Sequence, residues 1–328
     1  MATGELTRRL RFPSLPSWGR GARHGGTAEP KAVAAPIVLS PAMSLLRWAL
    51  LAVSGLSVWL VLFAFVLSPL QQHRAQHTLY ATFRQQLAAP DARIGIDDAG
   101  HAIPVGAPVA LVRVPAIGLD QVVVEGTDAA QTRSGPGHLR NTALPGQLGI
   151  SKIFGRSVMY GAPFASISTL QRGDEIRVTT GQGRFRYQVL AVLHGNAKLP
   201  AFPASGSELW LETSESSGWR TGWAPSGTVT VAAALVTPKS GTPPPTGRKG
   251  QTVGQVPVSG ADGVMQGDSS ALFALVLWLQ GLLLASLAIV WAVRRWGAVQ
   301  AWTVGSVVLV ALLWGATNSA ALLLPNVL

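Results

Sequence analysis

The side chains able to carry chemistry are few in this chain, and cysteine is not among them. Without a thiol, disulfides, thiolate catalysis and cysteine-based metal sites are excluded together. Six histidines remain, His24, His73, His77, His101, His138 and His194, and none stands at metal-ligand spacing with further donors. His73 and His77 are four apart on an expected helix. With no third ligand close in sequence they are read as solvated positions. No metal or other cofactor is expected. Nucleophilic chemistry would have to start from a hydroxyl, which is weak until an adjacent base takes its proton.

The elements that would position such a group lie between about residues 105 and 236. Ala110–Pro115 and Gln121–Glu125 are β-branched runs, and Asp174–Thr180 and Arg184–Val192 alternate apolar and polar residues. Gly181-Gln-Gly183 joins the last two as a hairpin. Glu208–Thr213 and Thr228–Val236 supply two more strands. Six or more short strands in this span argue for a closed β-barrel or a sandwich.

The rest of the chain is built for a membrane. It is 48% hydrophobic and only 12% charged, where ordinary soluble proteins carry about 25% charged residues. Trp48–Leu70, Ala271–Val293 and Ala301–Leu324 are uncharged apolar runs, each long enough to cross a hydrocarbon core of about 30 Å. The tail ahead of the first run carries Arg8, Arg9, Arg11, Arg20, Arg23, Lys31 and Arg47 against Glu5 and Glu29, and Arg294 and Arg295 stand between the last two. Basic residues close to span ends stay cytoplasmic, so the N-terminus is expected inside the cell and residues 71–270 outside it. A cleaved signal peptide fits less well, because the apolar core and the tail before it are both too long. The expected organisation is a disordered basic cytoplasmic tail over 1–46, a first span over 47–70, a helical stalk and linker over 71–104, and the β domain over 105–236. A Pro/Gly-rich linker over 237–270 follows, then a helical hairpin at 271–293 and 301–324 with a cytoplasmic turn at 294–300. Gly281, Ala285, Gly305 and Gly315 would let the hairpin helices approach closely. The formal net charge of +11 is concentrated in the tail and the turn, with no dense basic block outside them. That distribution suits orientation and anionic lipid, and excludes nucleic acid as a partner.

Several motifs in the β domain occur in an order that resembles the sortases, the family of surface-anchoring transpeptidases. Val114-Pro-Ala-Ile-Gly-Leu-Asp120 followed by Val123-Val-Glu-Gly-Thr-Asp128 resembles that family's opening strands. Gly135-Pro-Gly-His138 and Leu144-Pro-Gly-Gln147 resemble its next turns, and Gly149–Phe164 resembles its active-site loop. Tyr160-Gly-Ala-Pro-Phe164, followed by Leu170-Gln-Arg-Gly-Asp174, resembles the helix and strand that come next. Tyr160-Gly161 is similar to the actinobacterial class E type. The resemblance covers about residues 105–236. It implies a mainly β fold, a sortase-like closed β-barrel outside the membrane, combined with three transmembrane helices.

The resemblance also implies a catalytic trio, and here the chain departs from it. Arg156 stands in the histidine slot, Ser214 in the cysteine slot and Thr228 in the arginine slot, with Arg220 in the preceding loop as the alternative for the last. A guanidinium has no acceptor lone pair and cannot exchange protons near neutral pH. Thr228 brings no charge to a developing oxyanion. Proton transfer by a positioned acid or base is worth about 10²–10⁴-fold by itself. Relocated bases for Ser214 are conceivable in His138, His194 and Lys152. His138 is expected to be structural and His194 exposed, whereas Lys152 shares strand parity with Arg156. Arg156 itself is open to two readings, an anion or carboxylate binder or a solvated surface arginine. Arg156, Tyr160 and Ser214 are the candidate binding residues. The favoured function is a catalytically inactive pseudo-sortase, anchored in the cell membrane as a multi-pass protein. Its expected partners are membrane lipid and a sorting-signal-like peptide or a cell-surface or wall protein. The alternatives are a serine-dependent transpeptidase or acyl hydrolase using Ser214, and a non-catalytic subunit of a membrane complex acting through the C-terminal hairpin.

Overall fold

Eight strands close into a barrel in the order β1-β2-β3-β4-β7-β8-β6-β5. The structure is a computed structural model that describes residues 40–88, 102–195, 197, 206–215, 227–236 and 260–328. Residues 1–39 of the tail expected to be disordered over 1–46, most of the 237–270 linker and Arg220 lie outside the described residues, whereas residues 41–46 already belong to the first helix. The chain divides after Leu51, and the barrel and the hairpin both belong to the larger unit, Ala52–Leu328.

The strands are β1 (Pro108–Val114), β2 (Leu119–Glu125), β3 (Gly137–His138), β4 (Gly149–Phe154), β5 (Glu175–Thr180), β6 (Gly183–His194), β7 (Ser207–Ser214) and β8 (Thr228–Leu235). Period-two alternation turns one set of side chains inward. Val112, Ile153, Ile176, Leu209, Leu211 and Val231 are each fully buried in the barrel core. β5 and β6 pair in the expected hairpin, with Thr180 opposite Gly183. β4 runs parallel to β7, with Ile153 opposite Leu211 and Phe154 opposite Glu212, so the ends of both strands emerge at the same rim. The Gly135-Pro-Gly-His138 turn is also a short strand, parallel to β2 and antiparallel to β4. A side chain at Gly137 would fall on the carbonyl of Gly126, which explains why glycine occupies that position.

Three helices are long and apolar enough to cross a membrane: Pro41–Ala88, Ala271–Trp296 and Ala298–Leu323. The first continues into the expected stalk and contains a π turn at Phe63–Leu67. Pro69 follows one residue later, after Ser68. It has no N–H for the helical ladder and its ring crowds the carbonyl four residues back, so the preceding turn widens. The two C-terminal helices meet at Gly297, whose φ of 106° favours glycine. They pack closely where the sequence supplies small residues. A side chain at Gly305 would meet Ile289, one at Gly315 would meet Trp278, and one at Gly281 would meet Leu312.

The end of the 237–270 segment is ordered rather than a free linker. Asp262 is buried and accepts from the backbone N–H of Thr127 at 3.2 Å, while Thr127 Oγ1 donates to the Asp262 carbonyl at 2.7 Å. A composition poor in apolar residues hid this, because the segment is held by hydrogen bonds rather than by a hydrophobic face of its own.

Candidate functional site

β4 ends at Phe154 and the chain enters the loop Gly155–Phe164. The Phe164 N–H closes it by donating to the Arg156 carbonyl at 3.0 Å. Gly155 leaves room for the Phe164 ring, which a Cβ there would strike. The far side of the loop holds three successive residues in the left-handed region, Tyr160 at φ 52°, Gly161 at 74° and Ala162 at 43°. For tyrosine and alanine this conformation is strained, and the surrounding contacts must hold it. The π turn of the first helix supplies them. Tyr160 N–H donates to Ser68 Oγ at 3.2 Å, and its ring meets Phe63 edge-on with centroids 6.4 Å apart. Met159 and Ala321 complete this small apolar cluster. The loop is thereby packed between the first and third long helices.

Arg156 is not a surface residue. Its side chain is 0% exposed, and Nη2 donates to the carbonyl of Ala129 at 3.1 Å. Its guanidinium lies 4.9 Å from the Tyr160 ring centroid, a cation–π contact. Nε and Nη1 have no hydrogen-bond partner among the described residues. Burial, with the nearby Arg133 charge, brings its pKa down to about 10, against a smaller opposing effect of Tyr160. It stays charged at neutral pH, so it cannot act as a base. The solvated-arginine reading is excluded.

Ser214 ends β7, with Thr228 directly opposite it at the start of β8. Among the described residues the Ser214 side chain meets no base. Its Oγ lies 2.5 Å from Ser157 Oγ and donates to the carbonyl of Val327 at 3.0 Å. Ser157 reaches the same carbonyl twice, through its N–H at 3.1 Å and its Oγ at 3.3 Å. Thr213 Oγ1 approaches it at 3.5 Å while donating to the Gly155 carbonyl at 2.7 Å. Val327 and Leu328 are fully buried at this rim. Thus the rim of β4 and β7 receives the residues that follow the third long helix.

The three conceivable bases are engaged elsewhere. His138 is buried, with Nδ1 2.8 Å from Glu125 Oε2 and Nε2 2.9 Å from the Ala143 carbonyl. Burial opposes its charged form, but the Glu125 carboxylate and the Ala143 carbonyl outweigh that and raise its pKa above the usual value. His194 is exposed and lies 3.0 Å from Glu215 Oε1. Lys152 pairs with Glu212 at 3.5 Å and lies over the Trp210 ring. Burial raises the Glu212 carboxyl pKa, an effect that Lys152 partly offsets. His73 and His77 contact each other through Nε2 atoms 3.0 Å apart. Among the described residues no three of His, Asp and Glu gather as a metal site.

Residues 112–215 match the family model described as the Sortase domain. The barrel is sortase-like. No curated protein matches the chain. Similar solved structures include the Sortase D5 transpeptidase of Clostridium perfringens, 22% identical over 50% of this chain and 99% of that one, with a TM-score of 0.42. Sortase E1 from Streptomyces coelicolor, solved with a tripeptide in its active site, is 24% identical over 40% and 90%, with a TM-score of 0.36. Sortase E from Streptomyces avermitilis is 26% identical over 43% and 100%, with a TM-score of 0.36. In this sortase-like barrel the slots expected to hold histidine, cysteine and arginine are Arg156, Ser214 and Thr228. The structure brings Ser214 and Thr228 together as cross-strand neighbours, whereas the Arg156 guanidinium turns to the Ala129 carbonyl. Sequence reasoning passed over Ser157 and Val327, which are the groups Ser214 touches. Ser157 adjoins the slot residue and was within reach of a strand-parity argument. Val327 is 113 positions from Ser214, and no local pattern connects them.

Proposed function

We propose that this chain is a membrane-anchored, sortase-like barrel that no longer performs acyl transfer and instead binds a peptide segment at the rim of β4 and β7. One observation carries the reading. Among the described residues the Ser214 hydroxyl donates to a peptide carbonyl and otherwise meets only the hydroxyl of Ser157. A serine nucleophile needs an acceptor that takes its proton, and neither neighbour is basic enough to do so. The buried cation at Arg156 adds to this, because a fixed positive charge cannot alternate between acid and base. The substituted trio therefore leaves a site with donors for a backbone and no proton relay.

In this reading the N-terminus is cytoplasmic and the barrel faces the outside, held by the first helix and the hairpin. The basic tail and the Arg294-Arg295 pair set that orientation. The ligand is a sorting-signal-like peptide or a segment of a cell-surface or wall protein.

The experiment is incubation of the full chain, in detergent micelles, with sorting-signal peptides and an amine acceptor. No ligated product is expected. Product that disappears in Ser214→Ala would instead establish the serine-dependent enzyme.

A further inference from the structure

The segment that follows the third long helix, Pro325-Asn326-Val327-Leu328, is seated in the sortase-like barrel as a ligand would be. Val327 presents its carbonyl to the Ser157 N–H, the Ser157 and Ser214 hydroxyls and, more distantly, Thr213 Oγ1. A carbonyl oxygen has two lone pairs, so these donors exceed what one acceptor needs. Such convergence is what a carbonyl-binding cradle provides. The neighbouring backbone adds further pairing. Leu328 accepts from the Met159 N–H at 3.4 Å, and the Asn326 N–H donates to the Gln266 carbonyl at 2.8 Å. The Asn326 side chain reads two more carbonyls, donating through Nδ2 to Thr127 at 2.6 Å and to Gly263 at 2.9 Å. Asn326 and Val327 are each 0% exposed. The seat is thus built from both sides, by the β4–β7 rim and by the ordered 260–268 segment.

We infer that residues 325–328 are a ligand bound in cis, and that the site's chemical preference is the one they display: a peptide with uncharged side chains, folded into a tight turn that the Leu328 N–H closes on the Pro325 carbonyl at 3.0 Å. It carries a carboxamide two carbonyls can receive, then a β-branched residue whose carbonyl enters the serine cradle. This rests on the peptide-binding reading above and specifies both its ligand class and its control. A tethered ligand competes at an effective concentration in the millimolar range, so a peptide from another protein meets an occupied site. The apparent affinity in trans is reduced by the fraction of molecules in which the segment has left.

The test uses the full chain in micelles and a labelled synthetic peptide, Leu-Leu-Pro-Asn-Val-Leu, read by fluorescence anisotropy. Three forms are compared: the wild type, a chain ending at Leu324, and full-length Asn326→Asp. In the last, a carboxylate faces the Thr127 and Gly263 carbonyls and expels the segment without shortening the chain. Both altered forms should bind the peptide at least about tenfold more tightly than the wild type. The same peptide with Asp in place of Asn should lose that binding. Should the shortened chain fail to fold, Asn326→Asp alone decides the matter by the same readout. Equal binding by all three forms overturns the cis ligand while leaving a peptide site. No binding by either altered form, at peptide up to about 1 mM, also overturns it. Binding of unrelated peptides by the wild type in a parallel array would then show that the peptide-binding reading survives, and silence there would remove both.

Discussion

The hydroxyl oxygens of Ser157 and Ser214 lie 2.5 Å apart, and both point to the carbonyl of Val327. Two hydroxyls sharing one carbonyl satisfy each other and store no reactivity. At the end of the parallel β4–β7 pair these two hydroxyls hold a backbone carbonyl. Replacing both serines by alanine should therefore loosen the seated segment rather than abolish a reaction. Each lost hydrogen bond is worth about 1 kcal/mol, and the double variant should show faster amide exchange at residues 325–328 with the barrel core unchanged.

Arg156 is a buried charge with two guanidinium nitrogens unmatched among the described residues, which is costly. A neutral side chain of similar length removes that cost. Arg156→Met should be within about 1 kcal/mol of the wild type or more stable. Arg156→Ala opens a cavity and should lose about 2–5 kcal/mol. Thermal unfolding in micelles ranks the three. A large loss in Arg156→Met would mean that the cation is held by more than the Ala129 carbonyl and the Tyr160 ring.

The His138–Glu125 pair gives the barrel a pH dependence of definite sign. The histidine pKa is higher in the folded protein than its ordinary value of 6.5. Its contribution to stability is complete below that value and is lost as pH rises through the folded-state pKa. The unfolding midpoint of the wild type should fall across that interval relative to His138→Gln, which lacks the titrating ring. Parallel curves for the two proteins would remove the pair from the account.

Gly155 has no space for a side chain because the Phe164 ring occupies it. Gly155→Ala should cost about 1–3 kcal/mol, since neither the ring, fully buried, nor the loop it closes can move without repacking. The same thermal measurement checks it.

Between the long helices, Trp59 Nε1 donates to Thr317 Oγ1 at 2.9 Å. Thr317→Val keeps the shape and removes the acceptor, for a loss of about 0.6 kcal/mol. Gly315→Leu should do more damage, because Trp278 already fills the position. Unfolding midpoints in micelles should order the two variants accordingly.

How much of this was written locally in the sequence differs from element to element. The strands over 174–192 could be read from alternation and from the Gly181-Gln-Gly183 turn, and the spans from uncharged length. Ser214 and Thr228 could be placed opposite each other because both lie on regular strands. The burial of Arg156 could not, since arginine is ordinarily exposed and its position depends on a loop bent by three left-handed residues. The seat of Val327 was hidden for a different reason. A contact across 113 positions is created by the path of two helices and a barrel together, and short-range periodicity carries no record of it. The ordered 260–268 segment escaped notice because polar backbone contacts leave no hydrophobic pattern.

The most direct test of the central claim is covalent labelling of Ser214. The full chain and the chain ending at Leu324 are treated with a fluorophosphonate probe and digested, and the β7 peptide is weighed by mass spectrometry. Ser214 without a base should remain unmodified in both forms, even with the cradle emptied. A phosphonate adduct on Ser214 in either form, absent from Ser214→Ala, would contradict the account.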